Sequence, residues 1–534
     1  MSKNADERVD TSAESANKDA ETPRPEHPAP LSVLIVGAGC GGIAAAVELH
    51  RHGFEDVTLL EAAPRLGGTW QYNTYPGAAC DVPSHFYSYS YAQRRDWSRL
   101  CSPQPEILDY LRGVAADFDI ARRIVTGAKV TACTWDESIR QWRVRTEDGT
   151  ERTASAVVLA TGQLNQPAVP GIEGQEDFAG HSFHSARWDH DYDLRGKRVA
   201  VIGTGASAVQ FIPEIAEQVS QLTVFQRTGA WFLPRRNRAY PAPLKALFQR
   251  VPGIQQARRR FMFQYMESLT AAIRHPSTLG WLGRLRSAAF MHWQLRDREL
   301  RRKVWPNYTF GCKRVLFSSA YLPALRRENV RLVTEPIARM TPEGLETADG
   351  QRHVVDCVIY GTGFKATDFM FPMEIDGAGG RSLREVWAGG AHAHLGITVP
   401  GFPSMFILYG PNTNSSGGSI IFYLEAQAGY LRQALDRVRE AGASAIEVRA
   451  EVEATSDREV QSRFAGTAWT GCNSWYQDGS GRIVANWPGY MAEYARLTRT
   501  LDPAQYRLIQ RSQSKPAGSP QPSATAEPGT VQPA

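Results

Sequence analysis

Apolar residues along this chain fall into short continuous runs and helical-period stripes, and the same order of runs and stripes occurs twice. The run Leu31 to Val36 (LSVLIV) predicts a short strand buried on both faces. A helical stripe follows through His52, and a second apolar run, VTLL, ends at Glu61, which completes a β-α-β unit. The order returns with strand RVAVI, a helical stripe through about Val219 and strand LTVFQR. Between about 240 and 305 strand alternation disappears, and long apolar-periodic, Arg-rich stretches predict a helical insertion. Within it QQARRRF reads as a solvated helix face, as does RDRELRRK at its end. Phe261, Met262, Phe263, Trp281 and Leu282 read as lid or core packing ahead of membrane contact. Residues 1–30 hold only Met1 and Val9 as bulky apolar residues, and Ser512 to Ala534 is rich in Pro, Ser, Ala and Gln. Neither end can bury enough surface to offset its ordering entropy, so disordered tails are expected over 1–30 and over most of 503–534.

The turns between strand and helix carry the first chemistry. Gly37-Ala-Gly39-Cys-Gly-Gly42 links the first strand to its helix: Gly37 allows the tight turn, Gly39 admits a pyrophosphate to the backbone, and Gly42 lets helix and strand pack closely. Glu61 follows Gly42 by 19 residues, where a carboxylate can accept both ribose hydroxyls. The second unit carries Gly203-Thr204-Gly205-Ala-Ser207-Ala208. Gly203 to Arg227 spans 24 residues, as does Gly37 to Glu61, so Arg227 stands where the first unit has its acid. A cation there suits a 2′-phosphate, with Thr228 as a neighbouring donor, and so NADPH rather than NADH. Two such sites, the first for FAD, define a flavoprotein in which hydride passes from nicotinamide to flavin.

Composition changes this picture little. The 534 residues are 42% hydrophobic and 22% charged, as in globular proteins. The first 30 residues carry net −3 against +5 for the chain, which leaves +8 in the body. That balance suits phosphate-bearing small molecules and is too diffuse for nucleic acid. No run of about 18 apolar residues predicts a transmembrane helix. The acidic N-terminal stretch lacks the apolar core of a signal peptide. Seven cysteines without a C-x-x-C point to reduced thiols and a cytoplasmic protein, with Cys80, Cys101 and Cys312 as packing residues. The missing C-x-x-C also argues against a disulfide reductase, and G-x-S-x-G, P-loop and H-E-x-x-H motifs are absent. His181, His184 and His190 lack Cys or Glu at ligand spacing, so no metal is expected.

Between the two glycine turns lies FAGHSFHSARWD, Phe178 to Asp189, which fits F-x-G-x-x-x-H-x-x-x-W-P/D at Phe178, Gly180, His184 and Trp188. With this segment the chain resembles the type I Baeyer-Villiger monooxygenases, which turn ketones into esters or lactones with FAD, NADPH and dioxygen by way of a peroxyflavin. The resemblance runs over residues 31 to 502 and includes GGTW (Gly67 to Trp70), YPGAACDVPSHFYSYS (Tyr75 to Ser90), ATG (Ala160 to Gly162), FGCKR (Phe310 to Arg314), GTGF (Gly361 to Phe364), LYGPNTN (Leu408 to Asn414) and CNSWYQDGSGR (Cys472 to Arg482).

The resemblance implies that Gly37, Gly39, Gly42, Glu61, Thr69, Trp70, Asp81, Tyr87 and Val130 surround FAD. It implies that Gly203, Thr204, Gly205, Ser207, Arg227, Thr228 and Lys313 surround NADPH. Arg314 matches an arginine over the flavin, with Asp81 beside it; these two are the candidate catalytic residues. His184 and Trp188 belong to a linker that couples NADPH binding to domain movement, and Trp475 to a mobile loop over the active site. Gly361, where many members have Ala, is expected to matter little. The expected architecture is α/β, with two nested Rossmann-type dinucleotide-binding domains: FAD over 31–165 and 366–502, NADPH over 166–365 with the helical insertion inside it. Carbonyl oxygenation is the favoured activity. Sulfur or nitrogen oxygenation on the same scaffold and a non-oxygenating NADPH oxidase remain as alternatives.

Overall fold

The computed structural model describes residues 30–511 except Arg236 and Ser416. The two tails expected at residues 1–30 and beyond Arg511 lie outside the described residues, apart from Pro30. Two five-stranded parallel sheets organise the chain. The first runs in the order Met405–Ile407, Ala156–Leu159, Val33–Val36, Val57–Glu61, Ile124–Thr126. The second runs Val330–Val333, Gln221–Phe225, Arg198–Ile202, Cys357–Tyr360, His181–His184. Parallel strands are covered on both faces, which is why VLIV, AVVL and CVIY are buried at every position. The architecture is α/β with two Rossmann-type halves, and the first half is discontinuous: its outer strand, Met405–Ile407, arrives after the whole second sheet. A four-stranded sheet (Val130–Asp136, Gln141–Thr146, Glu151–Ala154, with Glu374–Asp376 at its edge) also draws on both sides of the second half.

Each half has its own core. The helix Cys40–Arg51 is buried along most of its length and packs on the helix Ile420–Glu440, so closely that a Cβ on Gly41 would lie 3.3 Å from Leu424. The helical insertion consists of Ala242–Arg250, Pro252–Arg274, Leu279–Gln294 and Arg298–Val304. It bridges the cores: Met262 and Met266 join the first, and Phe290, Met291 and Leu295 join the second.

Several sequence expectations are corrected. The apolar set assigned to lid or core packing divides, with Met262 buried, Phe263 half-buried, and Phe261, Trp281 and Leu282 exposed. The run VWPNYTFGC, Val304 to Cys312, reads as strand-like, but Val304 closes the helix Arg298–Val304 and residues 305–312 are irregular, with Val304 and Phe310 buried in the second core rather than pairing with a neighbour. Within 503–534 the described residues reach Arg511: Tyr506–Ile509 pairs antiparallel with Ala445–Val448, and Tyr506 is buried against the first core. The cysteines are not all thiols. Cys312 is disulfide-bonded to Cys472, 160 residues away, and Cys40, Cys80, Cys101, Cys133 and Cys357 are free. A motif rule based on close spacing cannot see a pair that only the fold brings together.

Candidate active site

The two glycine turns are built alike. Gly37 donates its N–H to Leu60 and Gly203 donates to Phe225, each from a strand end onto the neighbouring strand. Gly37 has φ +104° and a Cβ there would lie 2.7 Å from the Ala160 carbonyl oxygen; Gly203 has φ +103° and its Cβ would lie 2.5 Å from that of Gly361. Both positions therefore need glycine. Opposite the first turn stands Gly68, whose Cβ would sit 2.9 Å from the Gly39 Cα. These facing glycines leave bare backbone beside the start of the Cys40–Arg51 helix, a cradle that any side chain would fill and that fits a pyrophosphate. Buried Glu61 accepts from Ala38 N at 2.7 Å and Ala63 N at 2.8 Å, which fixes its carboxylate beside the turn.

Thr69 and Trp70 open the short helix Thr69–Tyr72, and buried Trp70 donates through Nε1 to the Tyr87 hydroxyl at 3.2 Å. Val130 is half-buried at the start of its strand, next to the core of the four-stranded sheet. Around the second turn, Gly205 has open space at its Cβ, Thr204 is half-buried, and Ser207 precedes the helix Ala208–Ile215. Arg227 is exposed just past its strand, followed by Thr228. The Lys313 ammonium is pushed below its ordinary pKa by burial and by the Arg227 guanidinium. Two cations held close together form a receptor for an anion.

Gly361 is tighter than expected. A Cβ there would lie 3.1 Å from the Ala208 Cβ and 3.3 Å from the Gly203 carbonyl oxygen, so an Ala would press on the second turn itself.

Arg314 and Asp81 meet between the halves. The guanidinium donates from Nη2 to both carboxylate oxygens at 2.7 and 2.8 Å and from Nε to Oδ2 at 3.2 Å. Burial would raise the Asp81 pKa, but the Arg314 charge and hydrogen bonds outweigh it and hold the carboxyl below its usual range. Asp81 raises Arg314 in turn, so the guanidinium is permanently charged. It keeps 30% of its side chain accessible, enough to meet a further ligand. The phenols of Tyr476 and Tyr409 lie within electrostatic reach of it. Tyr409 has φ +61°, unusual for a residue other than glycine. Three hydrogen bonds hold it: its N–H donates to Gln427, its carbonyl accepts from Gln163, and its hydroxyl donates to Asn414.

The segment Tyr72 to Asp81 is the strip on which the second half docks. Gln210 donates to and accepts from the backbone of Ala79, and Arg235 donates to the Cys80 carbonyl at 2.6 Å. The fingerprint segment is fastened to both halves. Trp188 packs edge-on against Phe183 and Phe211 at 5.1 and 5.2 Å, while Arg187 lies 3.9 Å above the Tyr72 ring. Buried His184 accepts from Ala186 N and packs against Phe364 of the GTGF turn, and burial lowers its pKa. Gly180 has no room for a Cβ, which would lie 2.4 Å from the Phe178 ring and 2.7 Å from the Asp356 carbonyl. Trp475 is half-buried against Tyr476, at 4.3 Å between rings, and Tyr476 lies within electrostatic reach of Arg314. Sequence reasoning missed Tyr72, Arg187, Gln210, Arg235, Tyr409 and Tyr476; only the aromatic and cationic character of the motifs around them hinted at their use.

Residues 34–247 match the family profile described as pyridine nucleotide-disulphide oxidoreductase. A Baeyer-Villiger monooxygenase of Streptomyces coelicolor is 42% identical over 90% of this chain and 93% of its own. The structure of an oxidized steroid monooxygenase bound to NADP superposes with a TM-score of 0.81 at 30% identity, covering 90% of this chain and 99% of that one. That of OTEMO in complex with FAD and NADP gives 0.81 at 28% identity, over 91% and 100%. Fold and site together define a flavoprotein of the two-dinucleotide type. Within that class the chain belongs to the Baeyer-Villiger monooxygenase family.

Proposed function

We propose that this chain is an FAD-containing, NADPH-dependent monooxygenase that inserts one oxygen atom of dioxygen beside a ketone carbonyl. The observation that carries this reading is the bidentate Arg314–Asp81 pair between two dinucleotide turns, in a chain 42% identical to a Baeyer-Villiger enzyme. Ketone, dioxygen, NADPH and a proton give ester or lactone, water and NADP⁺, so NADPH supplies the two electrons that reduce the second oxygen atom. FAD, when bound, supplies hydride acceptance and dioxygen activation.

The residues divide the remaining work. Gly37, Gly39, Gly42 and Gly68 present bare backbone and helix amides to the FAD pyrophosphate, and Glu61 takes its ribose. Thr69, Trp70, Tyr87 and Val130 enclose the rest of that cofactor. Gly203, Thr204, Gly205 and Ser207 receive the NADPH pyrophosphate, while Arg227, Thr228 and Lys313 take the 2′-phosphate that relieves their mutual repulsion. Arg314 holds the negative charge that develops on the carbonyl oxygen during attack; at about 4 Å and an effective dielectric near 20 that attraction is roughly 4 kcal/mol. Asp81 aims the guanidinium. Phe178, Gly180, His184 and Trp188 fasten the linker, and Trp475 covers the site with Tyr476. We assign 31–165 and 366–502 to FAD and 166–365 to NADPH, which the make-up of the two sheets supports. We place the enzyme in the cytoplasm, a reading supported by its five free thiols. Among the described residues no helix is long and apolar enough to cross a membrane.

The test is a panel of ketones and thioethers incubated with the purified protein, NADPH and isotopically labelled dioxygen, read by mass spectrometry. Ketones should gain one labelled oxygen. Gain on thioethers alone would move the assignment to heteroatom oxygenation, and NADPH consumed with only hydrogen peroxide formed would make the protein an oxidase.

A further inference from the structure

The helical insertion concentrates positive charge and exposed apolar side chains. Residues 241–294 hold Lys245 and seven arginines against one carboxylate, Glu267, a net of +7 out of the body's +8. Among the described residues, nine of the thirteen exposed large apolar residues also lie there. On the helix Leu279–Gln294 the face toward the protein is made by Gly280, Ser287, Phe290, Met291 and Gln294. The opposite face carries Trp281, Leu282, Leu285 and Trp293, with 53%, 56%, 46% and 70% of each residue exposed. At 100° per residue these four fall on one side of the helix, where a surface helix normally places charge. Phe261, 65% exposed, lies on the Pro252–Arg274 helix, which packs on Leu279–Gln294. Arg250, Arg260, Arg284 and Arg286 have no ion pair among the described residues.

We infer that this face is a docking surface for an anionic lipid bilayer, on which the protein sits without spanning it. Tryptophan and leucine on the outward side of a helix, with unpaired arginines around them and no long apolar helix among the described residues, are the features of an interfacial amphipathic element. Charge complementarity selects the occupant. A second copy would bring two sets of unpaired arginines together, whereas phosphatidylglycerol or another anionic lipid neutralises them. The acidic N-terminal stretch could offer charge, but with only Met1 and Val9 it cannot cover two tryptophans and two leucines. Ile273, in the last turn of Pro252–Arg274, is packed in one cluster with Trp469 and Tyr476. The lipid-facing helices are thereby joined directly to the loop over Arg314.

The experiment is flotation of the full-length holoenzyme with vesicles of phosphatidylcholine alone or of phosphatidylcholine with about a third phosphatidylglycerol. Binding should favour the anionic vesicles at least about tenfold and fall when salt is raised to about 0.5 M. Replacing Arg284 and Arg286 by Gln should weaken it about 25-fold, at roughly fivefold per cation. Trp281→Ser with Leu285→Ser should weaken it at least about tenfold while FAD absorbance and NADPH oxidation persist. Equal recovery with both vesicles, or anionic binding unmoved by both double variants, would overturn the proposal. So would a dimer in light scattering that Trp281→Ser with Leu285→Ser dissolves, because the face would then be an interface between copies.

Discussion

Asp81→Asn is the perturbation that isolates aim from charge at the active site. The substitution keeps size and one acceptor oxygen, but turns an amide N–H₂ toward a guanidinium that can only donate, so the contacts at 2.7, 2.8 and 3.2 Å cannot all survive. A charge-assisted hydrogen bond contributes about 1.5–3 kcal/mol. With 30% of the Arg314 side chain and 19% of the Asp81 side chain accessible, solvent screening places the loss toward the lower end, near 2 kcal/mol. That is about a thirtyfold rise in misdirected guanidinium relative to the working orientation.

The assay is ketone product against hydrogen peroxide per NADPH consumed, at saturating ketone, in protein whose flavin loading is matched by absorbance. The product-to-peroxide ratio should fall about thirtyfold in Asp81→Asn and recover partly in Asp81→Glu, which restores the charge on a longer arm. The pH sign follows from the depressed Asp81 pKa: the parent ratio stays constant through neutral pH and is lost only as pH falls through that low value. An Asn variant that couples like the parent would refute the claim that Asp81 aims Arg314.

Gly39→Asp should abolish FAD binding, because the Cβ already lies 3.3 Å from Gly68 and the new anion faces the pyrophosphate; yellow protein of full flavin content would contradict this. Arg227→Ala should raise KM for NADPH about tenfold or more and change KM for NADH little, whereas equal losses would assign Arg227 to folding or closure. Dithiol reduction should raise the number of alkylated cysteines in unfolded protein from five to seven, lower the thermal midpoint and speed hydrogen exchange over 472–482; seven alkylated thiols without reductant would show that Cys312 and Cys472 are not bonded. His85, buried with both ring nitrogens unpartnered, has its pKa lowered to about 4 by burial and then by Arg258, so stability is lost as pH falls from 6.5 toward 4. His85→Phe should therefore recover about 2 kcal/mol of urea stability at pH 5 relative to pH 7, and an equal effect at both pH values would show that the ring is not buried neutral.

What the sequence made legible was local. The glycine turns at Gly37 and Gly203 need positive φ and close backbone approach, requirements written into neighbouring residues, and both are met where the pattern put them. Arg314 and Asp81 lie 233 residues apart, and nothing in either segment alone names the other; only resemblance to a family joined them. Cys312 and Cys472 were beyond both routes, since spacing rules test near neighbours. Val304 and Phe310 looked strand-like because apolar content is the signal for a strand, yet that content can equally fill a core from a helix end, as Val304 does, or from an irregular segment, as Phe310 does. Trp281 and Leu282 misled in the opposite direction, because apolar periodicity reports a face and not what lies against it.

The seam between the halves explains why the fingerprint and the YPGAACD segment occur in one chain. Along the Tyr72–Asp81 strip the apolar contacts are those of Tyr75 and Ala78 with the second core, Tyr75 lying 5.9 Å from Phe211 between rings, while the helical insertion packs on the first core through Met262, Met266 and Phe263. Polar contacts carry the rest: Thr74 with His190, Gln210 with Ala79, Arg235 with Cys80, Arg314 with Asp81, and Arg187 over Tyr72. Gly77 allows the approach, since a Cβ would lie 2.9 Å from the Gln210 carbonyl oxygen. An apolar seam resists sliding because separation exposes area all at once. Discrete hydrogen bonds, each worth about 1 kcal/mol net, can be exchanged with water one at a time. A site that must receive hydride from one dinucleotide on another, and then present a cation to a carbonyl, needs its halves to shift without coming apart. We propose that Trp188 and Arg187 meet that need from adjacent positions, the first packed in the second half and the second resting on Tyr72 of the first.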